Sequence, residues 1–198
     1  MTPNRCTAFN GFQRLAAGRL PDVVLAAKTA VEAGAPGPML IYDDATGHVI
    51  DIDTRVTAQE IAALLDAPPP ARAPTEALDE PRGPGRPKLG VIAREVTLLP
   101  RHWDWLGTQP GGASVALRKL VEEARRTNGA KDRRRAAQEA AYRFMSAMAG
   151  NLPGFEEATR ALFASDRRRL SDLVAAWPAD VRDYAIQLAF ADLDPDQT

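Results

Sequence analysis

The amino-acid sequence predicts an α+β protein: a small N-terminal ββαββα module, a proline-rich linker and a helical C-terminal half. Three observations predict it. Up to about position 53, short apolar runs with strand character alternate with helical segments. Seven prolines then fall between positions 67 and 90. From position 101 onward, apolar residues recur with the helical period.

The elements follow in order. Cys6–Phe9 and Gln13–Ala17 read as a strand pair joined by Asn10-Gly11, a strong short-hairpin signal. Asp22–Ala33 reads as a helix with Val23, Val24, Ala27 and Val31 on one side and Gly34 as its stop. Pro38–Asp43 is a short apolar strand, Ala45-Thr46-Gly47 a turn, and His48–Asp53 a second strand. Thr57 and Glu60 form a capping box for a helix through Ile61, Leu64 and Leu65. A two-layer sandwich would bury these helices on one sheet face. Pro68, Pro69, Pro70, Pro74, Pro81, Pro84 and Pro87 then predict an extended linker, since proline fixes φ and removes a donor.

Residues 101–107 predict a short helix with Trp103 and Leu106, broken by Gln109-Pro110-Gly111-Gly112. Ser114 is expected to cap a helix carrying Leu117, Leu120, Val121 and Ala124. After Asn128-Gly129, Lys131–Ala149 predicts a separate helix with Ala137, Ala141, Phe144, Met145 and Met148 on its apolar side. Phe155–Ala164, a helix capped by Asp166, and a last helix through Val181, Tyr184, Ala185 and Leu188 complete the series. The expected segments are 1–66, an α+β module; 67–90, a basic arm; 91–128, a strand-helix-helix motif; and 129–198, a helical region.

Apolar content of 45% and charged content of 26% fit a globular protein. No apolar run reaches the roughly 20 residues a membrane helix needs, and no signal-peptide pattern opens the chain. The single cysteine, Cys6, has no internal disulfide partner, which fits a reducing compartment. These features predict a cytoplasmic protein, nucleoid-associated if it binds DNA.

The net charge of −1 hides a basic centre: residues 82–135 hold 13 Lys/Arg against 5 Asp/Glu, while both flanks are acidic. A local cation excess on a compact motif is the footprint of a nucleic-acid binder. The other reading is a solvated basic stretch, or one docked on an acidic partner.

Within that centre, Arg94–Arg126 reads REVTLLPRHWDWLGTQPGGASVALRKLVEEARR. Leu99-Pro100, Trp103, Leu106, Gly112, Ser114, Leu117, Leu120 and Val121 stand where the ribbon-helix-helix family of bacterial regulators has its strand end, short helix, glycine turn and second helix. The segment resembles that family. The resemblance implies a homodimer whose paired strands, 94–99 from each chain, enter the DNA major groove. One strand register faces Leu99, Thr97 and Glu95 inward; the other buries Val96 and Leu98 and shows Glu95 and Thr97 to the groove. Neither gives a full set of polar base-readers. Arg94, Arg101, Arg118 and Lys119 are candidate backbone contacts, and the Gly112–Ser114 turn a phosphate clamp at a helix N-terminus.

Before the strand, Pro84-Gly85-Arg86-Pro87-Lys88 resembles the Gly-Arg-Pro core of an AT-hook, with Pro84 where the fuller hook has arginine. That resemblance implies that Arg86, Pro87 and Lys88 lie in an A·T-rich minor groove. A third basic group, Arg125, Arg126, Lys131, Arg133, Arg134 and Arg135, surrounds Asn128-Gly129 beside its own acids Glu122, Glu123 and Asp132. It reads as a phosphate surface or a solvated helix start.

Recognisable catalytic chemistry is sparse. His48 and His102 have no Cys/His companion at metal spacing. Neither a phosphate-binding Gly-Lys-Ser/Thr loop nor a serine elbow occurs. Asp43, Asp44, Asp51 and Asp53 gather around one predicted hairpin, as a conceivable Mg²⁺ site or, more commonly, as turn residues. No catalytic residue, metal or cofactor is assigned. Double-stranded DNA and a second copy of the chain are the expected partners, with transcription regulation as the process.

Over nearly its whole length, the chain resembles a bacterial family known as a domain of unknown function, number two-two-three-nine. The stretches CTAFNG, IYDDATG, DIDTR, GRPKLGVIAREVTLLPRHWDWL, YRFMSAMAGNLPGFEEATRALF and WPADVRDYA carry that resemblance. It implies the unity of the chain and no activity.

Overall fold

A computed structural model describes residues 5–51, 92 and 94–191. The expected helix after Thr57, the proline linker and the Arg86-Pro87-Lys88 arm lie outside the described residues. The described residues are α+β, with a four-stranded antiparallel sheet and six helices.

Strand β1 (Arg5–Asn10) and strand β2 (Gln13–Arg19) form the predicted hairpin. Gly11 turns it at φ +55°, in the left-handed region that glycine enters without penalty. Pairing shifts between Ala8 and Phe9, so Leu15 is an extra residue on β2. Helix α1 (Leu20–Glu32) follows directly, with Pro21 in its first turn. Strand β3 (Met39–Asp43) returns antiparallel to β1, and β4 (Val49–Ile50) pairs with β3. The spatial order is β2-β1-β3-β4.

Both faces of this sheet are covered, which corrects the expected two-layer sandwich. On one face Cys6, Ala8 and Ile41 pack with Val23, Val24 and Ala27 of α1. On the other, Phe9 and Tyr42 enter the core of the C-terminal helices. The signal was present in β1: Cys6, Thr7, Ala8 and Phe9 are all buried, and a strand buried on consecutive residues needs cover on both sides.

Helix α2 (Pro100–Gly107) matches expectation, with Pro100 at its start. Helix α3 does not. It runs unbroken from Gly112 to Ala149 for 38 residues, so the two expected helices are one, and Ser114 is its third residue, not its cap. Asn128-Gly129 was read as a break because each disfavours helix, glycine by about 1 kcal/mol relative to alanine. Strong helix formers on both sides (Glu122–Arg126, Ala130–Ala137) outweigh that cost. Helices α4 (Phe155–Phe163), α5 (Arg167–Leu173) and α6 (Ala179–Ala189) follow. The Asp166 carboxylate accepts from Arg169 N at 2.9 Å, the predicted cap. Trp177 is buried and its Nε1 donates to Pro153 O at 2.9 Å.

The chain divides into two compact units: residues 1–66 with 129–198, and residues 67–128. The first contains the sheet and one aromatic centre. The Phe144 ring lies 5.3, 4.9 and 4.7 Å from those of Phe9, Tyr42 and Tyr184. The N-terminal strands and the C-terminal helices therefore share a core. The boundary of the second unit falls inside α3, at Asn128.

Candidate nucleic-acid interface

In the 67–128 unit, residues 94–99 form neither strand nor helix. The expected ribbon strand is therefore not formed within one chain; among the described residues of this unit there is no strand to pair with it. Arg94, Glu95, Val96 and Thr97 are exposed and Leu98 is half-buried. Neither alternating set is sequestered, so neither of the two registers is established.

The described candidate cations all reach solvent. Arg94, Arg101, Arg118 and Lys119 are exposed, and none makes an ion pair with a described residue. Arg94 and Thr97 lie on the extended stretch and Arg101 in the first turn of α2. Arg118 and Lys119 lie on α3. The turn that begins α3 is left-handed at Gly111 and Gly112 (φ +86° and +76°), and Gly112 N donates to Gln109 O at 2.9 Å. That N–H is committed to the turn, so a phosphate clamp there would use the next amides, Ala113 to Val115, which have no carbonyl of the helix before them. Ser114 is exposed beside them.

The same unit has little core of its own. Among its described residues, only Leu106 and Ala116 are buried apolar side chains. Val96, Leu99, Trp103, Trp105, Leu120 and Val121 remain 43–56% exposed. An apolar set of this size on a small unit is a surface that wants a partner. The sequence pattern sets Leu120 and Val121 on the apolar side of a helix, Trp103 at a core or interface position, and Leu99 inward in one of two registers, as members of a core. Their periodicity was legible, but it could not say whether one chain or two would build that core.

The acids raised as a metal site have a structural use in the other unit. Asp43 Oδ1 accepts from Ala45 N, Thr46 N and Thr46 Oγ1 at 2.9, 2.9 and 3.0 Å, closing the turn after β3. Asp44 Oδ1 accepts from Thr7 Oγ1 at 2.9 Å and from Tyr184 Oη at 2.7 Å, tying β1, the turn and α6 together. Among the described residues no three His, Cys, Asp or Glu side chains are grouped to hold a metal, and no helix is long and apolar enough to cross a membrane. Asp53 lies outside the described residues. Sequence offered no signal for the Tyr184 bond, which spans 140 positions.

Burial sets the acid–base chemistry of this network. The Cys6 thiol is pushed up to about 11 by burial and then by Asp43 and Asp44. The Tyr42 phenol is pushed up to about 12 by burial. Tyr184 is raised by burial and then by Asp44, which accepts its proton-bearing bond. Each group is neutral below its ordinary value of 9.0 or 10.0, and there the fold keeps its full stability. The folded state resists ionisation while the unfolded chain does not, so stability is lost as pH rises toward the folded values. The melting temperature is expected to hold up to about pH 9 and then fall steadily to about pH 12. Tyr184→Phe should flatten that fall and cost about 1.5–3 kcal/mol at pH 7, the worth of a hydrogen bond to a charged group. A melting temperature level from pH 8 to pH 12 would contradict this account.

The model of one family, described as an uncharacterized protein conserved in bacteria (DUF2239), matches residues 5–189. The chain belongs to this family. The match takes in residues of both units of this DUF2239 protein. No curated protein and no solved structure matches it significantly.

Proposed function

We propose that this DUF2239 protein binds double-stranded DNA as a homodimer and acts in transcription regulation. The observation that carries the reading is the state of the cations in the 67–128 unit. Arg94, Arg101, Arg118 and Lys119 are exposed and spend none of their charge on described carboxylates. Elsewhere on α3, Arg125 pairs with Glu122 at 3.3 Å and Arg135 with Asp132 at 3.1 Å. Cations left without counter-charge retain the most free energy to gain from phosphate. The dimer is supported by the exposed Val96, Leu99, Trp103, Trp105, Leu120 and Val121, which a second copy would cover. Pairing of 94–99 from two chains would supply the ribbon that one chain lacks. Arg86 and Lys88 are proposed for the minor groove.

One observation favours a protein partner instead. Val96 is exposed apolar surface where, in one of the two registers, a polar base-reader would stand. Gel retardation of a mixed-sequence duplex separates the readings. The DNA reading predicts retardation at low salt and a steep loss of affinity as salt rises. Arg94→Gln with Arg101→Gln is expected to reduce the slope of log K against log salt by about 1.8, at about 0.9 per lost phosphate contact. No retardation at low salt would favour the acidic protein partner.

A further inference from the structure

The sheet ends differently at its two edges. On β2, the Arg14 N–H is bonded not by a strand but by Asp180 Oδ2 of α6, at 2.8 Å. The other edge is β4, and no described strand lies beyond it. Asp43 N donates to His48 O at 3.0 Å. Bonded and open pairs alternate along an antiparallel ladder, so Tyr42 and Val49, the next pair, are open. The N–H and C=O of Val49 therefore point away from β3, to the outer edge, where no described group bonds them. Beside that edge lies an open cleft of about 680 Å³, between Gly47, His48 and Val49 on one wall and Tyr142, Arg143 and Ser146 of α3 on the other. Both walls belong to the unit formed by residues 1–66 with 129–198. They are fixed to each other: Arg143 Nη1 donates to Thr46 O at 2.9 Å, and Gly47 lies so close to Ala140 that no Cβ fits between them. Val49 is 47% exposed and Tyr142 40%. Among the lining residues Arg143 is a cation, His48 can become one, and none is an acid.

We propose that the groove between β4 and α3 takes an extended peptide of a partner protein, which adds as a strand beside Val49 and sets an acidic side chain against Arg143. An edge N–H and C=O call for an occupant with a backbone in the extended form, since only a strand offers the matching acceptor and donor side by side. Alternate side chains of that strand point into the groove. An apolar one meets Val49 and Tyr142, and a carboxylate two positions along meets the guanidinium. Arg143 donates to Thr46 O at 2.9 Å and to Glu139 Oε2 at 3.3 Å, which orients it and leaves further N–H donors for a carboxylate. An open cleft gives a small molecule little enclosure, whereas backbone bonding along an edge needs none. This surface lies in the other unit from the candidate nucleic-acid interface and stands independently of the DNA reading.

The test selects binders to the full chain from a displayed library of short random peptides and measures the enriched peptide by fluorescence polarisation. Val49→Pro removes the outward N–H and spares the pairing with β3, because that N–H does not bond β3. Val49→Thr keeps both the N–H and the branched shape. Enriched peptides are expected to carry Asp or Glu two positions from an apolar residue. They should bind Val49→Thr as they bind the wild type and Val49→Pro about tenfold more weakly. Methylating the peptide's own N–H groups at alternate positions gives the same readout from the ligand side, whether or not Val49→Pro folds. One of the two methylation patterns should weaken binding about tenfold. No enrichment, enrichment of peptides without an acid, or equal tolerance of both methylation patterns would overturn the proposal. Self-association of the wild-type chain that Val49→Pro abolishes would give the edge to a second copy and overturn it likewise.

Discussion

Gly47→Ala is expected to cost about 2–5 kcal/mol and to lower the denaturation midpoint accordingly. Two independent penalties meet at this position. Gly47 sits at φ +67°, where an L side chain costs roughly 1–2 kcal/mol. A Cβ there would also overlap the backbone of Ala140 on α3, meeting its carbonyl carbon and Cα within 2.8 Å. Backbone cannot rotate aside as a side chain does, so the turn or the helix must move, at roughly 1–3 kcal/mol or more. That movement would also strain the bond from Arg143 Nη1 to Thr46 O, now 2.9 Å. A domain is stable by only about 5–15 kcal/mol, so this single methyl consumes a large share. Chemical denaturation followed by far-UV circular dichroism measures it. An unchanged midpoint would mean that the 43–47 turn does not sit against α3.

Phe144→Ala is expected to cost about 3–5 kcal/mol, the usual range for a buried aromatic truncated to alanine. Phe144 is fully buried, with the rings of Phe9, Tyr42 and Tyr184 around it. The consequence beyond magnitude is where the loss is felt. Phe144 lies on a helix, yet two of its three ring neighbours lie on strands β1 and β3. Hydrogen exchange should therefore show sheet amides and helix amides of this unit losing protection together. Loss confined to the C-terminal helices would mean that the sheet has a core of its own.

That shared core marks the limit of what the sequence disclosed. Local signals were legible because they act over a few residues: Asn10-Gly11 forced a hairpin, Asp166 capped α5, and Ala45-Thr46-Gly47 turned the chain. Long-range closure was not. The Thr7–Asp44–Tyr184 bonds and the approach of Gly47 to Ala140 join residues 37 to 140 positions apart, or nearly so, and leave no periodic trace. Asn128-Gly129 misled because local propensity opposed the helix while its neighbours carried it through. At the candidate interface the cations were readable, since a long charged side chain keeps its head in solvent. The strand expected at 94–99 is not formed, because an apolar run alone does not supply the neighbour that a strand must pair with.

Sedimentation of the full chain with and without a mixed-sequence duplex at low salt tests the central claim most directly. The expected result is a chain dimer that co-sediments with the duplex as two chains per site and is released as salt rises. A chain that sediments alone, at the same rate whether or not duplex is present, would contradict it.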